Sequence, residues 1–361
     1  MKKNKIIIGI SGGVDSSVAA MLLKEKGYEV EALFMKNWND QAENGKCLWE
    51  DDVEDAMQVC DKLSIPLNTV DLSKDYWEKV FENFLAEYRN GRTPNPDVLC
   101  NKEIKFKAFL EHAENLGAEK IATGHYACRS MNGDYIQLLK SIDNNKDQSY
   151  FLCCLNQNQL DKTLFPIGKL YKKDVRDLAK KAGLITHNKK DSTGICFIGE
   201  QPFRDFLSSF LKSEKGLIKT VEGKRIGEHD GAFFYTLGQR QGLGIGGVKN
   251  ATDAPWYIVK KNIDDNELIV AQNHDHPFLH SKNLTVLNIN WVSEEMPPLP
   301  LKCKAKCRYR QDDQKCTVYK GENNDFIVKF EFSQRAITPG QYIVFYNKNE
   351  CLGGGIIDST Y

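Results

Sequence analysis

Residues 11–17 have the composition of a loop that binds phosphate groups: Ser-Gly-Gly-Val-Asp-Ser-Ser. They follow a short β-branched run at residues 6–10 and precede a helical pattern that ends at Gly27. A strand, a glycine-rich turn and a helix in this order direct free backbone N–H groups and the positive end of a helix dipole at one point. No Lys-Ser or Lys-Thr closes the loop, so it is not of the Walker type. A simple Gly-Gly turn with a helix cap is the alternative, but Asp15, a candidate magnesium ligand, favours a nucleotide site.

Cys100 is a candidate nucleophile because of its position in the chain. It follows a proline-stiffened loop at residues 91–99, and the apolar periodicity of residues 106–116 predicts a helix that starts close to it. The dipole of this helix and the nearby Lys102 and Lys105 both favour the thiolate form of a cysteine. A buried structural cysteine, the usual role of a lone cysteine, remains the alternative.

Cys196 lies in a second loop that is suited to moving a chemical group. Gly194 and Gly199 flank it within residues 187–199, which predicts a mobile segment rather than a packed element. The chain has eleven cysteines, an odd number, and no Cys-x-x-Cys motif. We therefore expect mostly reduced thiols, and any cysteine chemistry must join residues that are distant in sequence.

The run at residues 121–126 ends another predicted strand. Gly124 permits close approach of the backbone to a ligand, and we expect adenosine there. His125 is placed to reach a phosphate, although a lone histidine is more often structural.

Strand and helix patterns alternate from residue 5 to about residue 125, which predicts a doubly wound parallel sheet with its ligand at the carboxyl ends of the strands. From about residue 215 glycines become frequent, and residues 256–260 and 267–271 predict a β-hairpin. The expected fold is therefore an α/β N-terminal domain of Rossmann-like topology, followed by two small β domains. We expect the boundaries 1–205, 206–278 and 279–361, with the last domain a β-barrel.

Residues 301–311 alternate between cationic and apolar side chains, which predicts one strand with a cationic face. That face consists of Lys302, Lys304, Lys306, Arg308 and Arg310. Such a row of cations is suited to contact with nucleic-acid phosphates. A solvated strand face without a partner is the alternative.

The composition indicates a globular protein. Of the 361 residues, 41% are hydrophobic and 27% are charged, with a formal net charge of zero. No apolar run is long enough to span a membrane, and no signal peptide is recognisable at the N-terminus, so we expect a cytoplasmic protein.

Together, the motifs resemble those of the bacterial tRNA 2-thiouridylases (MnmA/TrmU type), a family of the ATP pyrophosphatase, or PP-loop, superfamily. The similarity extends over essentially the whole chain and rests on residues 9–17, 93–101, 123–126, 146–150, 192–199 and 308–310. The phosphate loop is shared across the superfamily, whereas the two cysteine motifs together are specific to this family.

The resemblance implies an ATP-dependent sulfurtransferase. It would adenylate the C2 oxygen of the wobble uridine in tRNA and then replace that oxygen with sulfur, giving 2-thiouridine, AMP and pyrophosphate. Cys196 would carry the sulfur as a persulfide, and Cys100 would be the partner nucleophile that either frees sulfide or forms a Cys100–Cys196 disulfide. Asp97 would be a candidate general acid/base.

The remaining site residues implied by the resemblance form two groups. ATP is expected at Gly9, Ile10, Ser11, Gly12, Gly13, Val14, Asp15, Ser16, Met35 and Gly124. The tRNA and its target base are expected at Asn95, Pro96, Asp97, His125, Lys146, Asp147, Gln148, Arg308, Tyr309 and Gln341. Asp15 is the expected Mg²⁺ ligand, and no iron–sulfur cluster is expected. The implied partners are tRNAs of the Lys, Glu and Gln type and a persulfide relay protein, and we expect a monomer.

Two other functions fit part of the sequence. Amidating ligases such as GMP or NAD synthetase use the same kind of loop, but they need neither two mobile cysteines nor a cationic β module. An RNA-binding protein gated by ATP, without chemistry, would tolerate the loss of Cys196.

Overall fold

The computed structural model describes residues 4–38, 49–191, 203–246, 252–322 and 325–361. In the N-terminal part, strands and helices alternate as predicted, and the strands form a parallel sheet. In spatial order the strands are Leu67–Asp71, Glu29–Lys36, Lys5–Ile10, Lys120–Ala122 and Thr163–Leu164. Ile8 lies opposite Ala122 in this sheet. The phosphate loop and residues 123–126 therefore leave the same edge of the sheet from neighbouring strands.

Helices cover both faces of the sheet, so the strand Lys5–Ile10 is buried on both sides. Ile6, Ile8 and Ile10 pack in one core with residues of the helices Val14–Glu25, Glu50–Leu63 and Lys172–Lys181. Ile7 belongs to a separate core on the opposite face, together with residues 98–113. Burial on both sides explains why this strand is a continuous apolar run rather than an alternating one.

Two longer helical segments contain π-type turns. The first comprises Ser73–Tyr76, Trp77–Phe81 and Glu82–Arg89, and the second comprises Pro96–Cys100, Asn101–Ala108 and Phe109–Asn115. Shorter helices are Ser149–Leu152, Gln157–Asp161, Ile185–Asn188, Phe203–Ser208, Ala232–Phe234 and Pro277–Leu279. Across the described ranges, no helix combines the length and the apolar character that a membrane crossing requires.

A small mixed sheet follows the N-terminal region. In spatial order its strands are Trp256–Asn262, Glu267–Gln272, Gly216–Thr220 and Arg225–His229. The predicted hairpin is confirmed, because Tyr257 pairs with Ala271 in antiparallel register.

The C-terminal strands close into a barrel. Their spatial order is His280–Trp291, Phe326–Arg335, Gln314–Lys320, Leu301–Lys306, Tyr342–Asn347 and Glu350–Thr360, and the last strand pairs with the first. A hairpin of Ala127–Asn132 and Tyr135–Lys140 extends this sheet, with Leu138 opposite Cys351. The expected fold class, a parallel α/β sheet followed by two small β domains of which the last is a barrel, is confirmed.

The prediction of one strand over residues 301–311 is wrong in its second half. The strand ends at Lys306, and the backbone N–H of Cys307 donates to Gln311 Oε1 at 2.7 Å instead of to a neighbouring strand. Lys302 and Lys304 are exposed, whereas Lys306 lies 3.9 Å from Asp313. The five cations therefore do not share one strand face, because residues 308–310 form a turn.

Candidate active site

The phosphate loop is held in shape by its own hydroxyl groups. The helix begins at Val14, inside the loop, and Gly13 is its N-cap. Ser16 Oγ donates to the Gly13 carbonyl at 3.1 Å and accepts from the Ser11 backbone N–H at 3.2 Å. Gly12 has a φ of +67°, and a Cβ at this position would lie 2.9 Å from Asp52 Cα and closer still to the Asp52 carbonyl oxygen. The loop conformation therefore requires glycine at position 12.

The residues predicted beside adenosine lie close to the loop or to the strand that leads into it. A Cβ on Gly124 would lie 2.7 Å from the Ser16 backbone nitrogen, so the missing side chain lets residue 124 approach the start of the helix. Gly9 packs against Met35, since a Cβ there would lie 3.3 Å from Met35 Cε. A ligand role for Met35 and Gly124 remains a prediction.

Asp15 belongs to a network of ion pairs at this edge of the sheet. Lys172 Nζ lies 2.8 Å from each carboxylate oxygen of Asp15, and the Tyr126 hydroxyl donates to Asp15 Oδ1 at 2.8 Å. The same ammonium group lies 2.8 Å from Asp191 Oδ1. Asp191 also pairs with Lys146 at 2.7 Å and with Arg176 at 2.8 Å.

The pKa of Asp191 reflects this network. Burial alone would raise it, but hydrogen bonds from Lys146 and Lys172 outweigh burial and lower the pKa of Asp191 to about 2. The carboxylate is therefore charged at neutral pH and balances part of the cationic charge around the loop.

The sequence analysis missed Lys172 and Asp191 as site residues. Lys172 is 157 positions from Asp15, so no short motif contains both. One signal was present: Lys172 is the first residue of the helix Lys172–Lys181. A cation is disfavoured at this end of a helix, which suggests that the lysine is kept there for another purpose.

Asp15 is compatible with a role as a magnesium ligand but is not sufficient for one. Mg²⁺ at nucleotide sites is commonly held by one or two carboxylates together with phosphate oxygens and water. Within the described residues, no group of three or more His, Cys, Asp or Glu side chains is arranged to hold a metal ion. Asp15 therefore fits a metal that is bound mainly through the nucleotide.

Cys100 lies further inside its helix than predicted. The helix starts at Pro96, and Asn95 caps it by accepting a hydrogen bond from the Val98 N–H at 3.4 Å. The Cys100 side chain is fully buried. Cys100 therefore lies beyond the first turn, to which the influence of a helix dipole is largely confined. Asp97 is partly exposed at the start of this helix.

Gln341 joins the barrel to the segment that leads to Cys100. Its side-chain Nε2 donates to the carbonyl of Thr93 at 2.8 Å and to that of Pro94 at 3.1 Å. Asn95 and Pro96 line a small cavity of about 50 Å³ together with Gly340 and Tyr342. The barrel thus helps to shape the surroundings of the predicted target-base residues.

Several predicted tRNA residues point into the protein. Asp147 is buried and accepts hydrogen bonds from Ser141 and Ser149, while Gln148 Oε1 accepts from the Tyr126 N–H at 2.9 Å. His125 is buried beside Thr123, with 2.9 Å between Nδ1 and Oγ1. Burial, and to a lesser extent the charge of Lys105, lowers the pKa of His125 well below its usual value, so the ring is neutral at neutral pH.

The turn at residues 308–310 contacts the N-terminal region. The Tyr309 ring lies 4.4 Å from the Phe151 ring, centroid to centroid, and the Phe151 carbonyl accepts from Asn101 Nδ2 at 3.4 Å. Arg308 donates to the carbonyls of Arg335 and Ala336, and Arg310 is exposed.

Cys196 and the rest of its motif, residues 192–199, lie outside the described residues.

Comparison with known proteins gives matches over the whole chain. Family models match residues 4–200 ("tRNA methyl transferase HUP domain"), 204–272 ("tRNA methyl transferase PRC-barrel domain") and 281–357 ("Aminomethyltransferase beta-barrel domain"). A tRNA-specific 2-thiouridylase MnmA from Legionella pneumophila (strain Philadelphia 1) is 57% identical over 356 residues, which are 99% of each chain.

Two further relatives carry the same name. The protein from Coxiella burnetii (strain Dugway 5J108-111) is 56% identical over 99% of each chain. The protein from Marinomonas sp. is 54% identical over 99% of this chain and 92% of its own. The family-model descriptions mention methyl transfer, but these full-length relatives are named as thiouridylases. Each of these relatives aligns as one unit across all three matched regions, which identifies the chain by its full length rather than by one domain.

Proposed function

The chain belongs to the tRNA-specific 2-thiouridylase family, and from this premise we propose that it thiolates the wobble uridine of tRNA through an adenylated intermediate and a cysteine persulfide. That the chain is a tRNA sulfurtransferase acting on uridine follows from its 54–57% identity to relatives over 99% of its length. This full-length identity is the observation that carries the proposal. The activation chemistry, the sulfur path and the residue roles are the proposed part.

In the first step, ATP is bound by residues 9–16, with adenosine beside Met35 and Gly124. The C2 oxygen of the uridine attacks the α-phosphorus, and the bond from this phosphorus to the bridging oxygen breaks. Pyrophosphate leaves with the electron pair. The backbone N–H groups at the start of the helix Val14–Glu25 support this role, since they provide fixed positive dipoles beside the loop. Asp15 would help to hold Mg²⁺ bound with the nucleotide, and the ion would neutralise phosphate charge.

In the second step, the outer sulfur of a Cys196 persulfide attacks C2, and AMP leaves. The Cys100 thiolate then attacks Cys196 Sγ, which breaks the sulfur–sulfur bond. The products are 2-thiouridine and a Cys100–Cys196 disulfide that an external thiol must reduce. In the other route, Cys100 attacks the persulfide first and frees hydrosulfide, which attacks C2 itself.

Residues around Cys100 are proposed to hold the target base. Asn95, Pro96 and Asp97 contact the uridine, which must leave its stack to reach them, and Asp97 acts as general acid/base. His125, Lys146, Asp147, Gln148, Arg308, Tyr309 and Gln341 contribute to tRNA binding, directly or by shaping the surface. Because Cys100 is buried, we expect tRNA binding to expose it.

The proposed partners follow from the same chemistry. The substrates are tRNAs of the Lys, Glu and Gln type, and the sulfur comes from a protein that carries a persulfide. We propose that the protein acts as a monomer in the cytoplasm.

The test is mass spectrometry of tRNA incubated with the protein, ATP, Mg²⁺ and a persulfide source. We expect the wobble uridine to gain the mass of a sulfur-for-oxygen exchange. Cys196→Ser should abolish this gain but preserve tRNA-dependent AMP formation, and Cys128→Ser, a half-buried cysteine without a proposed role, should thiolate normally. Thiolation by Cys196→Ser would refute the persulfide role, whereas an unchanged tRNA mass with the wild-type protein would favour the RNA-binding alternative.

A further inference from the structure

Lys172 is the cation that connects the phosphate loop to the rest of the ion-pair network. Its ammonium group contacts both oxygens of Asp15 and one oxygen of Asp191, all at 2.8 Å. Only 12% of the side chain is exposed. Its backbone N–H donates to Asp143 Oδ2 at 2.9 Å, which fixes the start of the helix that carries it. Contacts of both its backbone N–H and its side-chain ammonium group therefore hold the lysine in position.

The carboxylates around Lys172 do not depend on it equally. Lys146, Lys172 and Arg176 face the carboxylates of Asp15 and Asp191, and the buried Asp143 brings the number of nearby carboxylates to three. Within the described residues, Lys172 is the ion-pair partner of Asp15, and a phosphate group at the loop would be an alternative anion for this ammonium group. Asp191 also has Lys146 and Arg176 as partners, and it therefore remains paired if Lys172 turns to another anion.

We propose that Lys172 binds a phosphate group of ATP and that Asp15 takes its place as partner in the nucleotide-free protein. This inference rests on the proposed function, because it assumes that ATP occupies the phosphate loop that contains Asp15. When pyrophosphate leaves in the adenylation step, negative charge grows on its oxygens. A preorganised cation beside them stabilises that charge without proton transfer.

A competing role is purely structural: Lys172 neutralises Asp15 and never contacts the nucleotide. The two roles differ in what happens when both charges are removed. If Lys172 only compensates Asp15, a protein lacking both groups no longer needs it. If Lys172 binds phosphate, its loss remains costly whether or not Asp15 is charged.

The test is a double-mutant cycle with Lys172→Met, Asp15→Asn and the combined variant, measured as ATP binding in EDTA by calorimetry. Omitting the metal removes any contribution of Asp15 as a metal ligand. We expect Lys172→Met to weaken ATP binding about 10- to 100-fold, the range for a hydrogen bond to a charged group. We expect the combined variant to bind ATP weaker than Asp15→Asn by a similar factor. Equal ATP affinities of the combined variant and Asp15→Asn would overturn the proposal.

Two controls isolate the phosphate contact. Adenosine, which has no phosphate, should bind Lys172→Met as well as the wild type, and a parallel loss for adenosine would contradict a phosphate contact. Lys173→Met removes the neighbouring exposed lysine and should bind ATP normally. Lys172→Arg keeps the charge and should recover part of the affinity, which provides a folded variant if Lys172→Met is unstable.

The outcome is distinguishable from a failure of the proposed function. Wild-type protein that binds ATP through Lys172 but leaves the mass of tRNA unchanged would refute thiolation and retain the role of Lys172. Wild-type thiolation with an ATP affinity that is insensitive to position 172 would refute only this inference.

Discussion

The phosphate-loop edge of the parallel sheet and the cationic part of the barrel are both candidate anion-binding regions, but they are built in opposite ways. At the loop, Gly12 has a left-handed backbone, Gly124 packs against Ser16, and Lys172 is largely buried in its ion pairs. On the barrel, Lys302 and Lys304 are exposed on a strand.

This difference predicts two kinds of response to mutation. Anion binding at the phosphate loop depends on exact atomic positions that leave no room for an added methyl group, and the charged groups there are shielded from solvent. Anion binding on the barrel depends on the sum of exposed charges, each of which is screened by salt. Substitutions at the loop should therefore have large effects, while substitutions on the barrel should have small effects that depend on salt.

The largest effect is expected for Gly12→Ala. The added methyl group collides with the backbone of Asp52, and the positive φ adds strain, so the loop must change shape. We expect at least about a 100-fold loss in the rate of tRNA-dependent pyrophosphate release, as a loss of about 3 kcal/mol of transition-state stabilisation would give.

Gly27→Ala is the matched control for this variant. Gly27 also has a positive φ, +82°, but among the described residues no atom beyond its chain neighbours lies within 4 Å of an added Cβ. Its variant should lose about 1 kcal/mol of stability and keep its activity. Similar activity losses in both variants would show that backbone strain, rather than the shape of the loop, limits the reaction.

The next effect is expected for Gln341→Glu, which replaces the amide donor with a carboxylate that cannot donate to Thr93 and Pro94. Loss of these two hydrogen bonds should release the segment before Cys100 and lower kcat for thiolation about tenfold. Alkylation of Cys100 by iodoacetamide, followed by mass spectrometry, should become faster. A fall in tRNA affinity with unchanged Cys100 alkylation would instead support direct contact of Gln341 with tRNA.

A smaller effect is expected when low pH protonates Asp191 beside the phosphate loop and so lowers the stability of the protein. The pKa of Asp191 is about 2 when folded, against about 4 for an unperturbed aspartate, so its stabilising effect is complete above pH 4 and is lost as the pH falls toward 2. We expect wild-type protein to be about 1 kcal/mol more stable than Asp191→Asn at pH 6, after allowing for solvent screening. Urea denaturation should show this difference shrinking between pH 4 and 2, and a constant difference would contradict the ion-pair origin.

The smallest effect is expected on the barrel. Lys302→Glu or Lys304→Glu should weaken tRNA binding about two- to fivefold at low salt and less at high salt, because these exposed lysines contribute through screened electrostatics. Lys74→Glu, a substitution at an 85% exposed lysine in the N-terminal region, is the control and should leave tRNA affinity unchanged. A large effect of Lys302→Glu that persists in high salt would mean that the barrel binds tRNA through fixed contacts, and the contrast between the two regions would fail.

The sequence by itself determined the features whose physical causes are local. The phosphate loop was recognisable because its glycines, hydroxyls and following helix are contiguous. The α/β alternation and the hairpin of Trp256–Asn262 with Glu267–Gln272 followed from periodicity. These patterns are set by the nearest neighbours in the chain and by the burial of one face.

Tertiary structure alone decided which distant residues meet. Gln341 is 248 positions from Thr93, and Asp147 is buried rather than exposed. The alternation after Lys306 predicted more strand, but the Gln311 side chain supplies the hydrogen bond that ends it. Likewise, no sequence motif contained Lys172, which forms an ion pair with Asp15 of the phosphate loop. The spacing of apolar residues indicates which side chains are buried. Ion pairs and side-chain caps depend on how whole elements pack, and local spacing does not encode that packing.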